Sequence, residues 1–578
     1  MDGWRNIAFT LVTQRLQAKS PGFDSWEVVV TLLTSRDSLS QLAADRTADL
    51  PKRGSRQGFR GKAACVFVAA QEVIPRTAEG RARHRMSVDG NRRMKLSTKS
   101  WVSMPGGISL LMLIACGGSG SKTIPPPTIH NEWTWMTGAD VASQPGVYGT
   151  QGMPATTNTP GARVYPCWWT DRSGNFWLFG GYGFDSNPLS GGGYGGDLND
   201  LWRYSNGEWT WVGGGDVIEQ QGAYGTLGVS SPSNVPGGRW EAVSFTDASG
   251  NFWLFGGLGL DSVGTRGQLN DLWRYSNGQW TWMGGSNLAA QPGVIGSEPP
   301  GIYGTKGVPS AGNVPGARMD ASTWADPSGN LWLFGGEGLD SNANFGILND
   351  LWRFSNGEWT WVSGSNTINQ FGVYGTIGTP APANIPGART NATTWVDATG
   401  NLWLFGGFGN DVNGLVCQQD LVCLLNDLWK YSNGEWTWMG GSDVANQYGI
   451  YGTQGTASQG NFPGARQDAA AWVDMSGNVW LFGGHGFDST VGPPEVFGDL
   501  NDLWTYSNGE WAWMSGSNFS GESGAYATKG TPASGNVPGA RLGTARWLDS
   551  SGNLWLFGGE ALFMPETPKF NDLWKYQP

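Results

Sequence analysis

Six arginines occur at equivalent points of a repeated sequence, and each is followed two residues later by a residue whose type varies. Alternate residues of a β-strand share one face, so each arginine and its varied neighbour are expected to point the same way. The arginines are Arg163, Arg239, Arg318, Arg389, Arg466 and Arg541. The varied residues are Tyr165, Glu241, Asp320, Asn391, Asp468 and Gly543. Guanidinium groups beside carboxylates could bind a carbohydrate or a sugar acid, and the carboxylates could transfer protons.

The arginines also allow a structural interpretation, because they recur without change and ion-pair networks are common in scaffolds. This interpretation is favoured, and it predicts pairing with carboxylates of nearby loops at Asp185, Asp261, Asp340, Asp411 and Asp488. The varied residues are then the better candidates for ligand contact at the mouth of a channel. No residue is assigned a catalytic role.

The elements that position these residues follow from five phrases that the chain repeats. Tryptophan strands start at Trp133, Trp209, Trp280, Trp359, Trp436 and Trp511, with spacings of 76, 71, 79, 77 and 75 residues. Asn-Gly pairs supply the positive φ angles of two-residue hairpins, and Asp-x-Ser-Gly-Asn stretches supply a second tight turn. Each repeat therefore predicts four antiparallel strands: strand a from Arg163, strand b through Leu178, strand c through Trp202 and strand d through Trp209.

Residues 131–578 resemble the kelch family of β-propellers, the fold shared with the central domain of galactose oxidase. The resemblance rests on the apolar strand that ends in Gly-Gly, such as Leu178-Phe179-Gly180-Gly181, and on the later Tyr204 and Trp209. One feature departs from the family, because no copy has the histidine two residues after the strand-a arginine. The expected fold is an all-β, six-bladed kelch-type propeller with four antiparallel strands per blade.

The order of the phrases predicts how the propeller closes. The repeats begin with strand d alone, Asn131 to Trp135, and the chain ends after a strand c, Asn571 to Tyr576. A propeller leaves no exposed sheet edge when the first strand completes the last blade. The N-terminal strand d is therefore expected to join strands a to c of the C-terminal repeat.

Enzymatic hypotheses are limited by the scarcity of histidine. Galactose oxidase-like copper chemistry requires two histidine ligands and a Tyr-Cys partner, but His84 and His130 precede the repeats and His485 alone lies within them. A Ser-His-Asp triad would rest on the same His485. We therefore expect no metal and no cofactor. The resemblance leaves one enzyme open, a carbohydrate-directed isomerase of the sialic acid mutarotase type, in which the arginines together with Glu241, Asp320 and Asp468 would support proton transfer.

The N-terminal region predicts export. In residues 94–115 two lysines precede the short apolar run from Ile108 to Ala115, as in a secretory signal, and Leu-Ile-Ala-Cys resembles a bacterial lipobox ending at Cys116. The alternative is a buried strand followed by a chance cysteine. Residues 1–93 are interpreted as a misplaced start, with translation beginning at Met94 or Met86, or else as a disordered extension. Residues 116–130 are Gly/Ser-rich and then Pro-rich, which predicts a tether.

Charge and loop lengths define the expected partners. Residues 1–93 carry a net +7, whereas the chain from Cys116 onward carries a net −20, which disfavours nucleic acid. The longest and most varied loops fall on one face of the propeller, which is the expected binding face. Its most individual segments are Asn187 to Gly196, Val412 to Leu425, Val491 to Gly498 and Glu560 to Phe570. The expectation is a monomeric binding module of the bacterial cell envelope, anchored by lipid, whose ligand is a carbohydrate or a protein.

Three cysteines of the repeats have separate expectations. Cys417 and Cys423 flank a loop insertion, and in an exported protein they predict a disulfide. Cys167 follows Pro166 in strand a and is expected to be a small buried residue.

Overall fold

The chain forms two units, Met1–Pro126 and Pro127–Pro578. A computed structural model describes residues 131–290, 300–413, 422–491, 497–562 and 567–578, together with five strands of the first unit. In the first unit, Gln14–Ala18 pairs with Trp26–Val30. Ile108–Ile114 pairs with both Phe67–Glu72 and Val102–Met104. The apolar run of the expected signal is thus a strand here, and the boundaries after residues 93, 115 and 130 stay predictions.

The second unit is built from antiparallel sheets of three to five strands, which confirms the all-β class. The first sheet contains Arg163–Val164, Cys167–Thr170, Phe176–Gly183, Gly196–Ser205 and Glu208–Gly213. The second contains Arg239–Trp240, Val243–Thr246, Phe252–Leu260, Arg266–Ser276 and Gln279–Gly284. A short 3-10 helix, Ser190–Gly193, lies in the loop between the third and fourth of the first sheet's segments.

The third repeat is divided between two sheets. One of them contains Ser322–Ala325, Leu331–Phe334, Leu351–Ser355 and Glu358–Ser363. The other contains Arg318–Met319, Glu337–Leu339 and Phe345–Ile347. The fourth sheet contains Arg389–Thr390, Thr393–Val396, Leu402–Gly409, Leu424–Ser432 and Glu435–Gly440.

The last two sheets complete the second unit. The fifth contains Arg466–Gln467, Ala470–Val473, Val479–Phe487, Phe497–Ser507 and Glu510–Ser515. The sixth contains Ala545–Leu548, Leu554–Phe557, Leu573–Gln577 and Glu132–Thr137. In that sheet the pairing joins Trp574 to Trp135 and Tyr576 to Trp133, although these residues lie more than 400 positions apart.

The turns between strands have the geometry that their residues favour. Asn206 and Gly207 have φ angles of 52° and 86°, which suits a two-residue hairpin turn between strands c and d. At the a-to-b turn, the Asp171 carboxylate accepts hydrogen bonds from the backbone N–H groups of Ser173 and Asn175. The same two turn types recur along the repeats, so short turns join strand a to strand b and strand c to strand d.

Large aromatic side chains fill the space between neighbouring sheets. Phe176 of the first sheet stacks on Trp547 of the sixth, with ring centroids 5.1 Å apart. Trp133 is 1% exposed and packs against Phe482 of the fifth sheet. The tryptophans are therefore core residues, as apolar faces of stacked sheets require.

The innermost strands of the sheets contact one another in cyclic order. Each contacts the next along the chain, and Ala545–Leu548 of the sixth sheet contacts Cys167–Thr170 of the first. Sheets packed face to face around a shared centre form a β-propeller. Among the described residues, no helix has the length and apolar character needed to cross a membrane.

Candidate functional site

The six strand-a arginines are buried in ion pairs, and the predicted pairing with Asp185, Asp261, Asp340, Asp411 and Asp488 is wrong. Arg163 binds Asp200 in bidentate geometry, with Nη1–Oδ1 at 2.6 Å and Nη2–Oδ2 at 2.7 Å, and both side chains are 0% exposed. The aspartate is that of the repeated Asn-Asp-Leu-Trp phrase. The equivalent pairs are Arg239–Asp271, Arg318–Asp350, Arg389–Asp427, Arg466–Asp502 and Arg541–Asp572.

Each aspartate of these pairs also accepts two further hydrogen bonds. Asp200 Oδ2 accepts one from the hydroxyl of Tyr148 at 2.8 Å and one from the indole of Trp202 at 2.7 Å. Arg163 also donates to the carbonyls of Gly161 and Gly180. One network thus explains why the Tyr, Arg and Asp-Leu-Trp phrases recur together. The arginines were predicted as candidate ligand contacts, but their donors are used internally and none of the six lines the central cavity that the structure describes.

The loop aspartates have a different role from the one predicted. Asp185 accepts hydrogen bonds from the backbone of Asn187 and from the hydroxyl of Ser190 in its own loop. Its second oxygen accepts from the backbone of Ile218, in the loop that follows strand d. These carboxylates therefore join the long loops of one blade to each other.

The varied residues line one central cavity and form a set we call the mouth ring: Tyr165, Glu241, Asp320, Asn391, Asp468 and Gly543. Each interrupts strand a with a left-handed backbone, at φ angles between 51° and 63°. This conformation turns backbone groups toward the neighbouring blades. The Tyr165 N–H donates to the Gly543 carbonyl at 2.8 Å, and the Asn391 N–H donates to the Asp320 carbonyl at 2.9 Å.

Side chains of the mouth ring also interact across the centre. The Tyr165 hydroxyl donates to Asp468 Oδ2 at 3.0 Å. Gly543 leaves the room for this contact, since a Cβ built there would lie 3.0 Å from the Tyr165 ring. Burial, followed by the charges of Asp468 and Glu241, raises the pKa of Tyr165 well above its usual value, so the phenol stays protonated at neutral pH.

The carboxyl groups of the mouth ring have raised pKa values. Burial, followed by the charge of Glu337, raises the pKa of Asp320 to about 7. Burial and the charges of Asp320 and Asp468 raise the pKa of Glu241 well above its usual value. Burial, followed by the charge of Asp320, also raises the pKa of Asp468 well above its usual value. Near neutral pH the ring therefore holds protonated carboxyls beside one that can exchange its proton.

Glu241 and Asp320, on neighbouring blades, share a hydrogen bond between their carboxyl groups, and Asp320 also hydrogen-bonds Asn391. Two carboxyl groups can share a hydrogen bond when one of them is protonated, which agrees with the raised pKa of Glu241. Glu241 Oε2 and Asp320 Oδ1 are enclosed and receive no other hydrogen bond. The polar side chains of the mouth ring are therefore linked from blade to blade where they line the central cavity.

The mouth ring lies at one end of a central cavity of about 610 Å³ that is lined by strand a of every blade. Three residues beyond each ring position stand Trp168, Ser244, Thr323, Thr394, Ala471 and Arg546, all of which line the cavity. The Arg546 Cζ lies 5.1 Å from the Trp168 ring centroid. Sequence analysis missed these two residues. They are recognisable as large residues at a repeat position that otherwise carries small ones.

Further polar residues missed by sequence analysis follow the Gly-Gly pair of strand b, at Tyr182, Glu337, His485 and Glu560. Strand pairing places Glu337 opposite Met319 and His485 opposite Gln467, next to the mouth ring. His485 Nδ1 contacts Asp499 Oδ1 at 2.8 Å, and Lys569 Nζ lies 3.2 Å from Glu560 Oε2. These residues extend the polar surface from the mouth ring toward the long loops. They vary in an otherwise constant phrase, which is the signal that would have identified them.

Neither a metal centre nor a reactive thiol is evident in the part of the chain that the structure describes. It contains no group of three or more His, Cys, Asp or Glu side chains placed to hold a metal ion. Cys167 is a buried free cysteine, and burial raises the pKa of its thiol to about 12. Cys423 is disulfide-bonded, while its predicted partner Cys417 lies outside the described residues. Cys116 also lies outside them.

Comparison with known proteins gives similarities to solved structures alone, since no family model and no curated protein matches the chain. YjhT has 14% identity and a TM-score of 0.39, covering 72% of this chain and 95% of that one. A fungal alcohol oxidase of the AA5 family, in complex with copper, has 12% identity and a TM-score of 0.37, covering 75% and 77%. The GH93 α-L-arabinofuranosidase of Fusarium graminearum, in complex with arabinobiose, has 8% identity and a TM-score of 0.38, covering 75% and 98%. At these values the similarities assign neither an activity nor a ligand to this chain.

Proposed function

We propose that residues 131–578 form a six-bladed kelch-type propeller, closed by strand Glu132–Thr137. The pairing of this strand with Leu573–Gln577 supports the proposal, as does the cyclic contact of the innermost strands. A closed ring holds the mouth ring rigidly, because each of its residues lies on a different blade. A rigid frame that presents varied side chains at its centre suits ligand binding.

We propose that the protein is a binding module whose mouth ring binds a small carbohydrate. The observation that carries this proposal is the set of varied polar side chains that line one central cavity: Tyr165, Glu241, Asp320, Asn391 and Asp468. Sugar hydroxyls can donate hydrogen bonds to carboxyl and amide oxygens and can accept them from protonated carboxyls and amide N–H groups.

A glycan-array screen of the full chain tests this proposal. We expect a small set of related mono- or disaccharides to bind, with binding lost when Asp320 is replaced by alanine. The carbohydrate proposal would be replaced by two results together. The array would show no hits, and the chain would capture a protein partner whose binding is abolished by Asp216→Ala on the long loops. The ligand would then be a protein bound on the long-loop face. Asp216 is exposed and lies outside the mouth ring, so it also controls for general charge effects.

A second function, a carbohydrate isomerase of the mutarotase type, is favoured by one observation. Asp320, with its pKa raised to about 7, lies next to protonated carboxyls and could both accept and donate a proton at neutral pH. Exchange spectroscopy by NMR on any bound sugar separates the two functions. Faster exchange between anomers with wild type than with Asp320→Asn supports the isomerase, and equal rates support binding alone.

We also propose that the mature protein is anchored in the bacterial cell envelope through a lipid on Cys116. In residues 94–116 the lysines, the apolar run and the cysteine follow one another as in a lipoprotein signal, which supports this proposal. Metabolic labelling with a fatty acid should mark wild type and leave Cys116→Ser unlabelled. Mass spectrometry of the native protein should find no peptide from residues 1–85, and abundant peptides from that region would contradict the proposed start.

A further inference from the structure

Among the described residues, Arg546 is an arginine of strand a without a carboxylate partner. The six arginines that begin strand a each bind an aspartate, but Arg546 makes neither an ion pair nor a hydrogen bond among the residues that the structure describes. Its Nε is enclosed, and its contact is with the face of Trp168, at 5.1 Å. Burial lowers the pKa of Arg546 to about 10, which leaves the group cationic at neutral pH.

Arg546 is half-buried and lines the central cavity, and Nε is the atom of its guanidinium that is enclosed. A partly dehydrated cation without a compensating charge is stabilised when it binds an anion. The acidic residues of the same cavity, Glu241, Asp320 and Asp468, do not supply that charge through contact. Because their pKa values are raised, these carboxyl groups are largely protonated at neutral pH and contribute little negative charge to the cavity. The central cavity therefore carries a positive site that is not neutralised from within.

The surroundings of Arg546 suit a planar anion. A guanidinium presents parallel N–H donors that match the two oxygens of a carboxylate, and stacking on an indole leaves those donors free. Hydroxyl-bearing Ser244, Thr323 and Thr394 occupy the equivalent repeat position in three other blades and line the same cavity. The cavity, at about 610 Å³, has room for a small organic acid.

We propose that Arg546 and Trp168 form a binding site for a small carboxylate inside the central channel. The site lies beyond the mouth ring, and it does not depend on a carbohydrate binding at that ring. Arg546 binds the carboxylate in bidentate geometry, and Trp168 holds the guanidinium in place.

Acetate titration of the full chain at fixed ionic strength tests this proposal, followed by NMR of carbon-13-labelled acetate. We expect saturable binding of acetate and none of acetamide, which has the same shape without the charge. Chloride, which cannot bind in bidentate geometry, should be about tenfold weaker. Absence of saturation with acetate, or equal binding of chloride or acetamide, would overturn the carboxylate site.

Two arginine variants locate the site. Arg546→Met should weaken acetate binding by about tenfold or more, because the charge and both donors are lost. Arg274→Met is the matched control, since Arg274 also lies over a tryptophan, Trp253, at 5.7 Å but does not line the cavity. Unchanged binding in Arg546→Met, or equal weakening in both variants, contradicts the assignment. If Arg546→Met does not fold, the comparison of acetate, acetamide and chloride on wild type still decides the proposal.

Discussion

The hydroxyl of Tyr165 donates a 3.0 Å hydrogen bond to Oδ2 of Asp468, and its ring passes beside the backbone of Gly543. The three residues come from different blades of the propeller. This contact links side chains across the centre, where the ring backbone is already joined by hydrogen bonds from blade to blade. The mouth ring is therefore a connected polar structure, and its composition can be changed one blade at a time.

Gly543→Ala should disturb the mouth ring more than its backbone angle alone explains. The added Cβ would lie 2.4 Å from Val164 Cγ2 and 3.0 Å from the Tyr165 ring, so Tyr165 must move away from Asp468. Gly152→Ala is the matched control, with φ of +78° and open space around the new Cβ. We expect Gly543→Ala to cost about 1–3 kcal/mol more than the control in chemical unfolding. Equal costs would mean that Tyr165 does not occupy this space.

Breaking one buried ion pair should destabilise the propeller strongly. Asp271→Asn removes the charge that Arg239 binds at 2.6 Å and leaves a guanidinium buried without compensation. Removing one partner of a buried pair typically costs roughly 3–5 kcal/mol. Arg172→Met, which removes an exposed arginine, is the control and should cost less than about 1 kcal/mol. Urea unfolding of both variants measures the difference, and a small cost for Asp271→Asn would show that the network contributes little.

The carboxyls of the mouth ring should make the protein less stable as the pH rises. Asp320 has its pKa raised from 3.8 to about 7, so between these values the folded protein holds a proton that the unfolded chain has released. Its contribution to stability is thus lost from about pH 4 to about pH 7, by roughly 2–4 kcal/mol. Asp320→Asn should flatten this part of the profile, measured by thermal unfolding from pH 4 to pH 8.

Asp397 provides the control of opposite sign. Hydrogen bonds from Trp403, Thr399 and Asn401 outweigh its burial and lower its pKa to about 2. Its stabilisation is present above its usual pKa of 3.8 and is lost as the pH falls toward 2. Asp397→Asn should therefore change the profile on the acid side. A wild-type profile that rises between pH 4 and pH 7 would contradict the assignment of raised pKa values to the mouth ring.

Trp133→Ala tests whether the N-terminal strand completes the sixth sheet. Trp133 is 1% exposed, and its ring lies 5.1 Å from that of Tyr576. Removing a buried tryptophan side chain typically costs roughly 3–5 kcal/mol. Trp209→Ala removes the equivalent side chain of the first sheet, which is continuous in sequence, and the two variants should lose similar stability. A loss confined to Trp209→Ala would mean that strand Glu132–Thr137 does not close the propeller.

The strands and turns could be predicted because each depends on residues close in sequence. Asn206-Gly207 specifies a hairpin by its backbone preferences, and the alternation of Trp209 and Trp211 specifies a strand. Strand a was harder, because its interruption at Tyr165 is imposed by the neighbouring blades. No local sequence pattern predicts a left-handed backbone conformation at a tyrosine or a glutamate.

The partner of Arg163 could not be identified from sequence, because the choice between Asp185 and Asp200 depends on how strands b and c pair. Asp200 recurs as regularly as the arginine itself, and that common recurrence was the available signal. Arg546 was missed for the opposite reason. It differs from the residues at the equivalent positions of the other repeats, so a comparison based on recurring residues does not identify it.

The affinity of the mouth ring for a carbohydrate is the measurement that tests the central claim most directly. Isothermal titration calorimetry of the strongest glycan-array hit should compare wild type with Glu241→Gln and with Asp216→Asn. Because Glu241→Gln changes the hydrogen bonds that a side chain lining the central cavity can make, we expect about tenfold weaker binding, while Asp216→Asn leaves the affinity unchanged. Equal affinities of wild type and Glu241→Gln would show that the ligand binds elsewhere and would contradict the mouth ring as the binding site.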